Sequence, residues 1–317
     1  MARVTTSTLP QPVQVYYDRV LLSMADPALI HNYAAEKRNL ASRSGDIIRM
    51  ERYDDIGTAT VALGNTGVTP PNKSMASVFI DAQIQFYGTW VEINEQCDLT
   101  SQSPVLNQRA KLLGRSMRQT EDELIRNMLA TTAFVVFASG GVDGDVPTEI
   151  ALSDIQEVVK GLLGNDAKTI SDSITGALKF GTSPIPNAYV GMGHTDLSSA
   201  LENINGFKST IEYADQKLLG PSEWGSLGRV RFMLSSHGYK SLATSGLGNT
   251  VYSTIITGME AYTTVGLEKN NASFIYHDYR IAGGPLELNS TGGWKMSFAQ
   301  AITNDGWIAN LKSTLLV

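Results

Sequence analysis

The stretch VFIDAQIQFYGTWVEI, residues 78–93, has the clearest strand pattern in the sequence. Apolar residues alternate with polar residues from Val78 to Phe86, and the alternation then shifts by one position from Tyr87 onward. Gly88 lies at this shift, where a glycine inside a strand pattern commonly marks a bulge or a bend. We therefore predict a strand that bends at Gly88.

An outgoing strand, residues 47–63, precedes this return strand, and the turn-forming sequence Gly64-Asn-Thr-Gly-Val-Thr-Pro-Pro71 joins the two. The pattern predicts a long two-stranded ribbon. Such a ribbon cannot stabilise itself in water, because it has no second layer to bury its apolar face against. We therefore predict that it packs on another surface, with a second copy of the chain as one candidate, and that the function involves assembly rather than catalysis.

Seven residues of the ribbon are candidate inter-subunit contacts, six of them at the tip and one at the bend. They are Gly64, Asn65, Gly67, Pro70, Pro71, Lys73 and Gly88. For Lys73 two alternatives stay open, an ion pair with a neighbouring subunit or plain solvation, since exposed ion pairs contribute only about 0–1 kcal/mol. Trp90, near the base of the ribbon, is predicted to be a core anchor.

A long amphipathic helix is predicted over residues 103–131. Ser103 suits the N-cap, and the proline after it suits the first helical position. Asp122 is predicted to lie on the exposed flank, paired at i,i+4 with Arg118 and Arg126. The apolar residues recur at steps of three, four or seven and predict a narrow packed stripe, which consists of Leu106, Ala110, Leu113, Met117, Leu124 and Met128.

The remaining segments predict an α+β fold class. Residues 1–46 indicate an extended arm with short helical pieces at 16–22 and 27–35, and Ser153 with Gln156 indicates a capping box that opens a helix. The apolar face of that helix is predicted to contain Ile155, Val158, Val159 and Leu162. The predicted elements after residue 150 are helices at 153–163 and 195–204 and strands at 187–191, 230–235, 273–281, 294–302 and 307–312.

Composition excludes several classes of function. The chain has 317 residues, 18% of them charged, and a formal net charge of −6, so it is not a binder of polyanions through a basic surface. The low charged fraction suggests that partners cover much of the exterior. Cys97 is the only cysteine and is predicted to be a partly buried structural residue. No apolar run is long enough for a membrane helix and no signal peptide is recognisable, so we expect a soluble cytoplasmic product.

Motifs that carry catalysis or bind metal are missing from the sequence. It has no Gly-x-Ser-x-Gly, no phosphate-binding loop, no His-Glu-x-x-His and no cysteine pair with zinc spacing. Asp143-Gly-Asp145 resembles the start of a calcium loop without its remaining ligands, and we interpret it as a solvated turn. The four histidines, His31, His194, His237 and His277, lack metal-ligand spacing. We predict no catalytic, cofactor or metal site.

Three local sequences carry a resemblance to a known family. They are Gly67-Val-Thr-Pro-Pro71, then Tyr87-Gly88 with Val91 and Ile93, and finally Gly220-Pro-Ser-Glu-Trp-Gly225 before Gly228-Arg-Val-Arg-Phe232. With the order of elements, they resemble the major capsid proteins of tailed bacteriophages, and most of all the coat proteins of N4-like podophages. One departure is Asn65-Thr66, which stands where a glutamate is expected, so the resemblance supports no charged contact at the tip.

The resemblance implies a fold that is shared with herpesvirus capsid floors and encapsulins. Its parts would be an N-terminal arm at 1–46, an extended loop at 47–94, a peripheral subdomain at 95–149 with a spine helix at 103–131, an axial subdomain at 150–265, and returning strands of the peripheral subdomain at 266–317.

The resemblance also implies a function and partners. The chain would assemble as hexamers and pentamers into an icosahedral shell around double-stranded DNA, in the cytoplasm of a host bacterium. Its partners would be copies of itself, portal and scaffolding proteins, and a decoration or cement protein, with weak non-specific contact to DNA, no membrane and no cofactor. Two alternatives stay open, an encapsulin-like compartment shell and an unrecognised α+β enzyme.

Overall fold

The computed structural model describes residues 28–60, 72–100, 105–138, 148–171, 186–213, 218–241, 250–268, 272–278 and 286–315. Within these residues the chain forms four α-helices and fifteen strands. The helices are α1 (Glu95–Thr100), α2 (Val105–Leu129), α3 (Leu152–Gly164) and α4 (Ser198–Glu202). The strands are β1 (Glu36–Leu40), β2 (Ile47–Tyr53), β3 (Ser77–Gln83), β4 (Gln85–Asn94), β5 (Val135–Phe137), β6 (Tyr189–His194), β7 (Lys208–Ser209), β8 (Glu223–Leu227), β9 (Val230–Ser235), β10 (Lys240–Ser241), β11 (Val251–Thr257), β12 (Tyr262–Leu267), β13 (Ala272–His277), β14 (Asn289–Ile302) and β15 (Ile308–Ser313).

The larger sheet has eight strands in the order β5-β15-β11-β6-β9-β8-β7, with β10 added to β11. Its central strands β6, β9 and β11 are buried along their whole length, because both faces of the sheet are covered. The predicted apolar residues Ile155, Val158 and Leu162 of α3 pack on one face. Ile125 and Leu129 of α2 pack on the other.

The smaller sheet has five strands and is centred on the long strand β14. β4 pairs antiparallel with one edge of β14, β13 and β12 pair with successive parts of the other edge, and β1 pairs parallel with β12. Trp294, Met296 and Phe298 of β14 belong to the same core as α2 and the larger sheet. The long helix therefore lies between the two sheets and holds them together, as a spine of about 37 Å at 1.5 Å per residue.

The ribbon is formed by β2 and β3, which pair antiparallel from Ile47 opposite Gln83 to Tyr53 opposite Ser77. Its inner face packs on the smaller sheet, where Met50, Ala82 and Ile84 share a core with residues of β12 and β14. The base of the ribbon therefore has a second layer within its own subunit, and only the rest of the ribbon needs a partner from elsewhere.

The bounds of the ribbon differ from the prediction. The outgoing strand ends at Tyr53 rather than near residue 63, and the return strand is interrupted at Ile84, whereas its pairing runs through Gly88 without a shift in register. At the interruption, the amide of Ile84 donates to the carbonyl of Asp46 at 2.8 Å, while the side chain enters the core. The chain changes direction there because β4 leaves the ribbon and joins β14.

The flank of the long helix that was predicted to be exposed is covered by residues 28–35, which we call the N-terminal segment. Asp122 is buried, and its carboxylate accepts hydrogen bonds of 2.8 Å from the amide and from Nδ1 of His31. The Tyr262 hydroxyl donates to the carbonyl of His31. The predicted pairs of Asp122 with Arg118 and Arg126 are therefore wrong, since the covering segment replaces solvent on this side.

Three further local predictions are wrong. Residues 31–34 form a turn before β1, where a helical piece was predicted over residues 27–35. Ala110 is exposed although it was assigned to the packed stripe. The helix α3 begins one residue before Ser153, and the carboxylate of Asp154 accepts from the amide of Ala151 at 2.9 Å in place of the predicted capping box. The predicted piece at 16–22, the Asp143-Gly-Asp145 turn and Ser103 lie outside the described residues.

Each sheet takes strands from more than one of the segments that the resemblance implies. β5 and β15, which lie in the segments 95–149 and 266–317, both belong to the larger sheet. Conversely, β12 lies mostly within the segment 150–265 but pairs with β14 and β1 in the smaller sheet. Antiparallel pairing of β15 with β11 brings the end of the chain back into the middle segment.

Candidate interaction surfaces

Of the predicted contact residues, the structure describes Lys73 and Gly88; Gly64, Asn65, Gly67, Pro70 and Pro71 lie outside the described residues. Nζ of Lys73 donates to the carbonyl oxygens of Gly57 at 3.2 Å and Thr58 at 2.9 Å. Lys73 thus ties the two arms of the ribbon together beyond the paired strands. A contact of Lys73 with another subunit stays a prediction.

The outer face of the ribbon is exposed and carries both apolar and charged residues. Ile47, Tyr53 and Phe79 lie on it, and the side chain of Phe79 is 56% exposed. Arg49 donates two hydrogen bonds to the Asp81 carboxylate, at 2.7 and 2.8 Å, and its guanidinium lies 5.5 Å from the centre of the Phe79 ring. These hydrogen bonds from Arg49 lower the pKa of Asp81. The outer face therefore presents ordered aromatic and charged groups for which the described residues supply no covering layer.

A second exposed surface lies on the smaller sheet, on the side opposite α2. Phe86, Trp90 and Ile275 line a groove of about 460 Å³, whose floor includes Gly88 and Gly293. Trp90 is 65% exposed, so its predicted role as a core anchor is wrong. Trp90 pairs with Gly293, whereas the residue before it pairs with Trp294, which faces the helix. Successive residues of a strand point to opposite faces, so Trp90 lies on the face away from the helix. Exposed aromatic groups of this size indicate an interaction surface.

Gly88 allows two strands to approach closely. The pairing of β4 with β14 continues without a shift from Gln85 to Asn94, so there is no bulge at Gly88. A Cβ atom on Gly88 would lie 2.6 Å from the carbonyl oxygen of Trp294. The residue therefore shapes the groove by permitting this approach.

We expect Gly88→Ala to destabilise the subunit by about 1–3 kcal/mol, because the new methyl group forces the β4 and β14 backbones apart. Gly114→Ala is the matched control, since a Cβ at Gly114 meets nothing within 4 Å. Within the helix α2, that change should stabilise the subunit by about 0.5–1 kcal/mol. Urea unfolding of both variants measures the difference, and equal effects would contradict the close approach at Gly88.

The motif sequences at 220–225 and 228–232 build a buried ion pair that sequence reasoning missed. Arg231 donates to the two carboxylate oxygens of Glu223 at 2.6 and 2.9 Å, and both side chains are almost fully buried. The guanidinium lies 5.2 Å from the centre of the ring of Tyr213, whose pKa is raised by burial. Gly228, with φ +62°, forms the tight turn that brings β8 and β9 together.

The described ranges contain no cluster of three or more His, Cys, Asp or Glu side chains that could hold a metal ion. In the same ranges, no helix has the length and apolarity needed to span a bilayer.

Cys97 is exposed, which corrects its prediction as a partly buried residue. His31 and His194 are buried among hydrogen-bond partners, whereas His277 is exposed. The most prominent surfaces for function are therefore the ribbon and the aromatic groove.

Comparison with known proteins gives no match to a family model and none to a curated protein. Solved structures do match along nearly the whole chain. The capsid of Ralstonia phage GP4 matches with a TM-score of 0.69 at 9% identity, covering 100% of this chain and 99% of that one. The capsid of cyanophage P-SCSP1u matches with a TM-score of 0.66 at 11% identity, covering 95% and 93%. The head of Helicobacter pylori bacteriophage KHP40 matches with a TM-score of 0.65 at 10% identity, covering 100% and 98%.

Proposed function

We propose that this chain, whose fold is that of tailed-phage major capsid proteins, is the major coat protein of a bacteriophage. The match to phage capsid subunits spans nearly the full length of the chain, and the predicted α+β capsid fold is thereby confirmed. In this proposal the copies form hexamers and pentamers that close into an icosahedral shell around packaged double-stranded DNA. The role is mechanical and involves no catalysis.

The observation that carries this proposal is the exposed outer face of the ribbon in a chain with this fold. Phe79 and Tyr53 remain exposed there, and Trp90 and Phe86 remain exposed in the groove. A closed ring of identical subunits needs two different surfaces on each copy, because every interface joins unlike patches. The ribbon and the groove provide two such surfaces.

The proposed partners follow from the same role. Copies of the chain are the main partner, and portal, scaffolding and decoration proteins are further ones, met in the host cytoplasm during assembly. Contact with DNA is weak and non-specific in this proposal, because a net charge of −6 gives little counterion release from phosphate.

Negative-stain imaging of the purified protein tests the proposal. We expect closed shells of uniform size and, from infected cells, shells that protect DNA from nuclease. A protein that sediments only as a small oligomer at every concentration would overturn it. Neighbouring portal and terminase genes support the phage role, whereas a neighbouring gene for a cargo enzyme would identify a compartment shell.

We expect Trp90→Glu to reduce the yield of closed shells at least tenfold, because buried interface tryptophans commonly contribute about 2 kcal/mol or more to association. The folded subunit should keep its thermal stability, since the side chain is exposed in the isolated chain. Trp90→Phe is the matched control and should assemble, because it keeps an aromatic group in the groove. Sedimentation measures the fraction of protein in shells. Normal assembly of the glutamate variant would show that the groove is not part of the interface.

A further inference from the structure

His194 lies at a junction where several titratable groups meet. It is the last residue of β6 and is buried. Four such groups face it from different elements, and they are Asp196 in the following 3₁₀ turn, Tyr252 in β11, Lys240 in β10, and His237 in the turn after β9. A change in the charge of His194 therefore alters the electrostatic environment of groups in several elements of the larger sheet.

In the neutral state, His194 caps a helical segment. Its Nδ1 atom accepts a hydrogen bond of 3.1 Å from the amide of Asp196, at the N-cap of the 3₁₀ turn Thr195–Leu197. That turn leads directly into α4, and together they place the fully buried Leu197 and Leu201 in the core. Because Nδ1 accepts this bond, it carries no proton.

A second arrangement competes with this cap. Oδ2 of Asp196 lies 3.1 Å from the same Nδ1 atom and accepts a hydrogen bond of 2.8 Å from the Tyr252 hydroxyl. A proton on Nδ1 would turn that atom into a donor to the carboxylate and would end its role as acceptor for the amide. The cap and the ion pair exclude each other, since one nitrogen cannot do both.

The surroundings favour the neutral state. Burial lowers the pKa of His194 below its ordinary value of 6.5. The carboxylate of Asp196 and a hydrogen bond with the backbone of Ser236 oppose this shift in part, and the charges of Lys240 and His237 add to it. The 3.1 Å approach of Asp196 is therefore not a salt bridge at neutral pH. A lowered pKa means that the contribution to stability is complete above about pH 6.5 and is lost as the pH falls through that value toward the lowered one.

The turn next to His194 also holds the spine helix and the N-terminal segment. The Ser235 hydroxyl donates to the carbonyl of Ala28, and Nη1 of Arg126 donates to the carbonyl of His237 at 3.0 Å. The backbone of Gly238 packs so closely on His194 that an added Cβ atom would lie 2.5 Å from its amide nitrogen. A displacement of His194 would therefore disturb the hydrogen bonds that attach α2 and the N-terminal segment to the larger sheet.

We propose that His194 is an acid-sensitive switch, in which a proton on Nδ1 exchanges the cap of the 195–202 segment for an ion pair with Asp196 and loosens the turn at 235–238. The consequence is a weaker attachment of the larger sheet to α2 and to the N-terminal segment below neutral pH. The switch belongs to the subunit itself and does not depend on the coat function.

Hydrogen exchange of the full-length subunit at pH 7.5 and pH 5.0, corrected for the intrinsic exchange rate, tests the proposal. In the wild type, protection of residues 195–202 and 235–238 should fall at the lower pH, because the proton on Nδ1 removes the acceptor of the cap. His194→Asn places an amide oxygen near the position of Nδ1, which preserves the cap and cannot be protonated. This variant should keep its protection at both pH values. If its protection falls at pH 5.0 as much as that of the wild type does, the proposal is wrong.

An NMR titration of the wild-type subunit provides a second test that needs no variant. The amide resonance of Asp196 should shift in step with the titration of the His194 ring, because the amide loses its acceptor. An amide resonance that stays constant while the ring titrates would overturn the switch. His237→Asn removes a neighbouring charge and should move the transition to higher pH without abolishing it.

Discussion

Replacement of Arg231 by methionine should destabilise the subunit by about 3–5 kcal/mol, because it leaves the carboxylate of Glu223 buried without its cation. The side chain of Glu223 is fully buried, and that of Arg231 is 3% exposed. Oε2 of Glu223 also accepts a hydrogen bond from the amide of Leu219 at 2.6 Å. That one bond cannot replace the two that the guanidinium donates.

A pair of the same geometry on the surface provides the control. Arg49 and Asp81 are also joined by two hydrogen bonds, but Arg49 is 62% exposed. Arg49→Met should therefore change stability much less than Arg231→Met, because water solvates the carboxylate that remains. Urea unfolding followed by tryptophan fluorescence measures both, and Trp224 beside Glu223 reports locally.

The double variant Glu223→Gln/Arg231→Met distinguishes the contribution of the ion pair to stability from the destabilisation that an unpaired buried charge causes. It should recover part of the stability that Arg231→Met loses, since no buried charge remains. If Arg231→Met and Arg49→Met cost the same, or if the double variant is the worst of the three, the buried charge is not the cause.

This ion pair shows why part of the fold could not be predicted from the sequence. Glu223 pairs with Met233 and Gly225 with Phe232, so Trp224 is an extra residue in a β-bulge. The bulge moves Glu223 to the face that carries Arg231, whereas regular alternation would place it on the opposite face. A pattern with a period of two gives no sign of a bulge that depends on the partner strand.

The long helix and about half of the strands were predictable, because their patterns are local. The helix Val105–Leu129 lies within the predicted range, and β9 has the predicted bounds Val230–Ser235. Asp122 was predicted to be exposed although it is buried, because its partner, His31, is 91 residues away in the sequence. Charges at i,i+4 indicate an exposed flank only where no distant segment covers it.

The groove was missed for a similar reason. Aromatic residues such as Trp90 are often core anchors, and only the pairing of Trp90 with Gly293 shows that the facing position has no side chain to cover it. An added Cβ on Gly293 would lie 2.9 Å from the Cβ of Trp90. Two glycines in β14 would have been the sequence signal, but only once the register with β4 was known.

Deletion of the tip residues 64–71 should abolish closed shells while leaving a folded, soluble subunit. The paired part of the ribbon is retained in this variant, together with Lys73, which donates to the carbonyls of Gly57 and Thr58. Met50 and Ala82 still anchor the base in the core. Thermal unfolding should therefore match the wild type, and negative-stain imaging should show no closed particles.

Lys73→Met is the companion variant, because it keeps the tip and removes only the tie between the arms. It should still form shells, in lower yield, since the arms lose a tether and not their contact surface. Closed shells from the deletion variant would contradict the role of the tip, and a deletion that unfolds the subunit would contradict the division between base and tip.

The two variants together decide where the partner of the tip lies. The backbone bond from Asp54 to Ala76, at 2.9 Å, and the tie from Lys73 to Thr58 keep the two arms side by side beyond the end of the strands. The anchored base lies at Met50 and Ala82, in the core shared with the smaller sheet. Loss of shells without loss of stability would therefore mean that the tip contributes nothing to its own subunit and binds another copy.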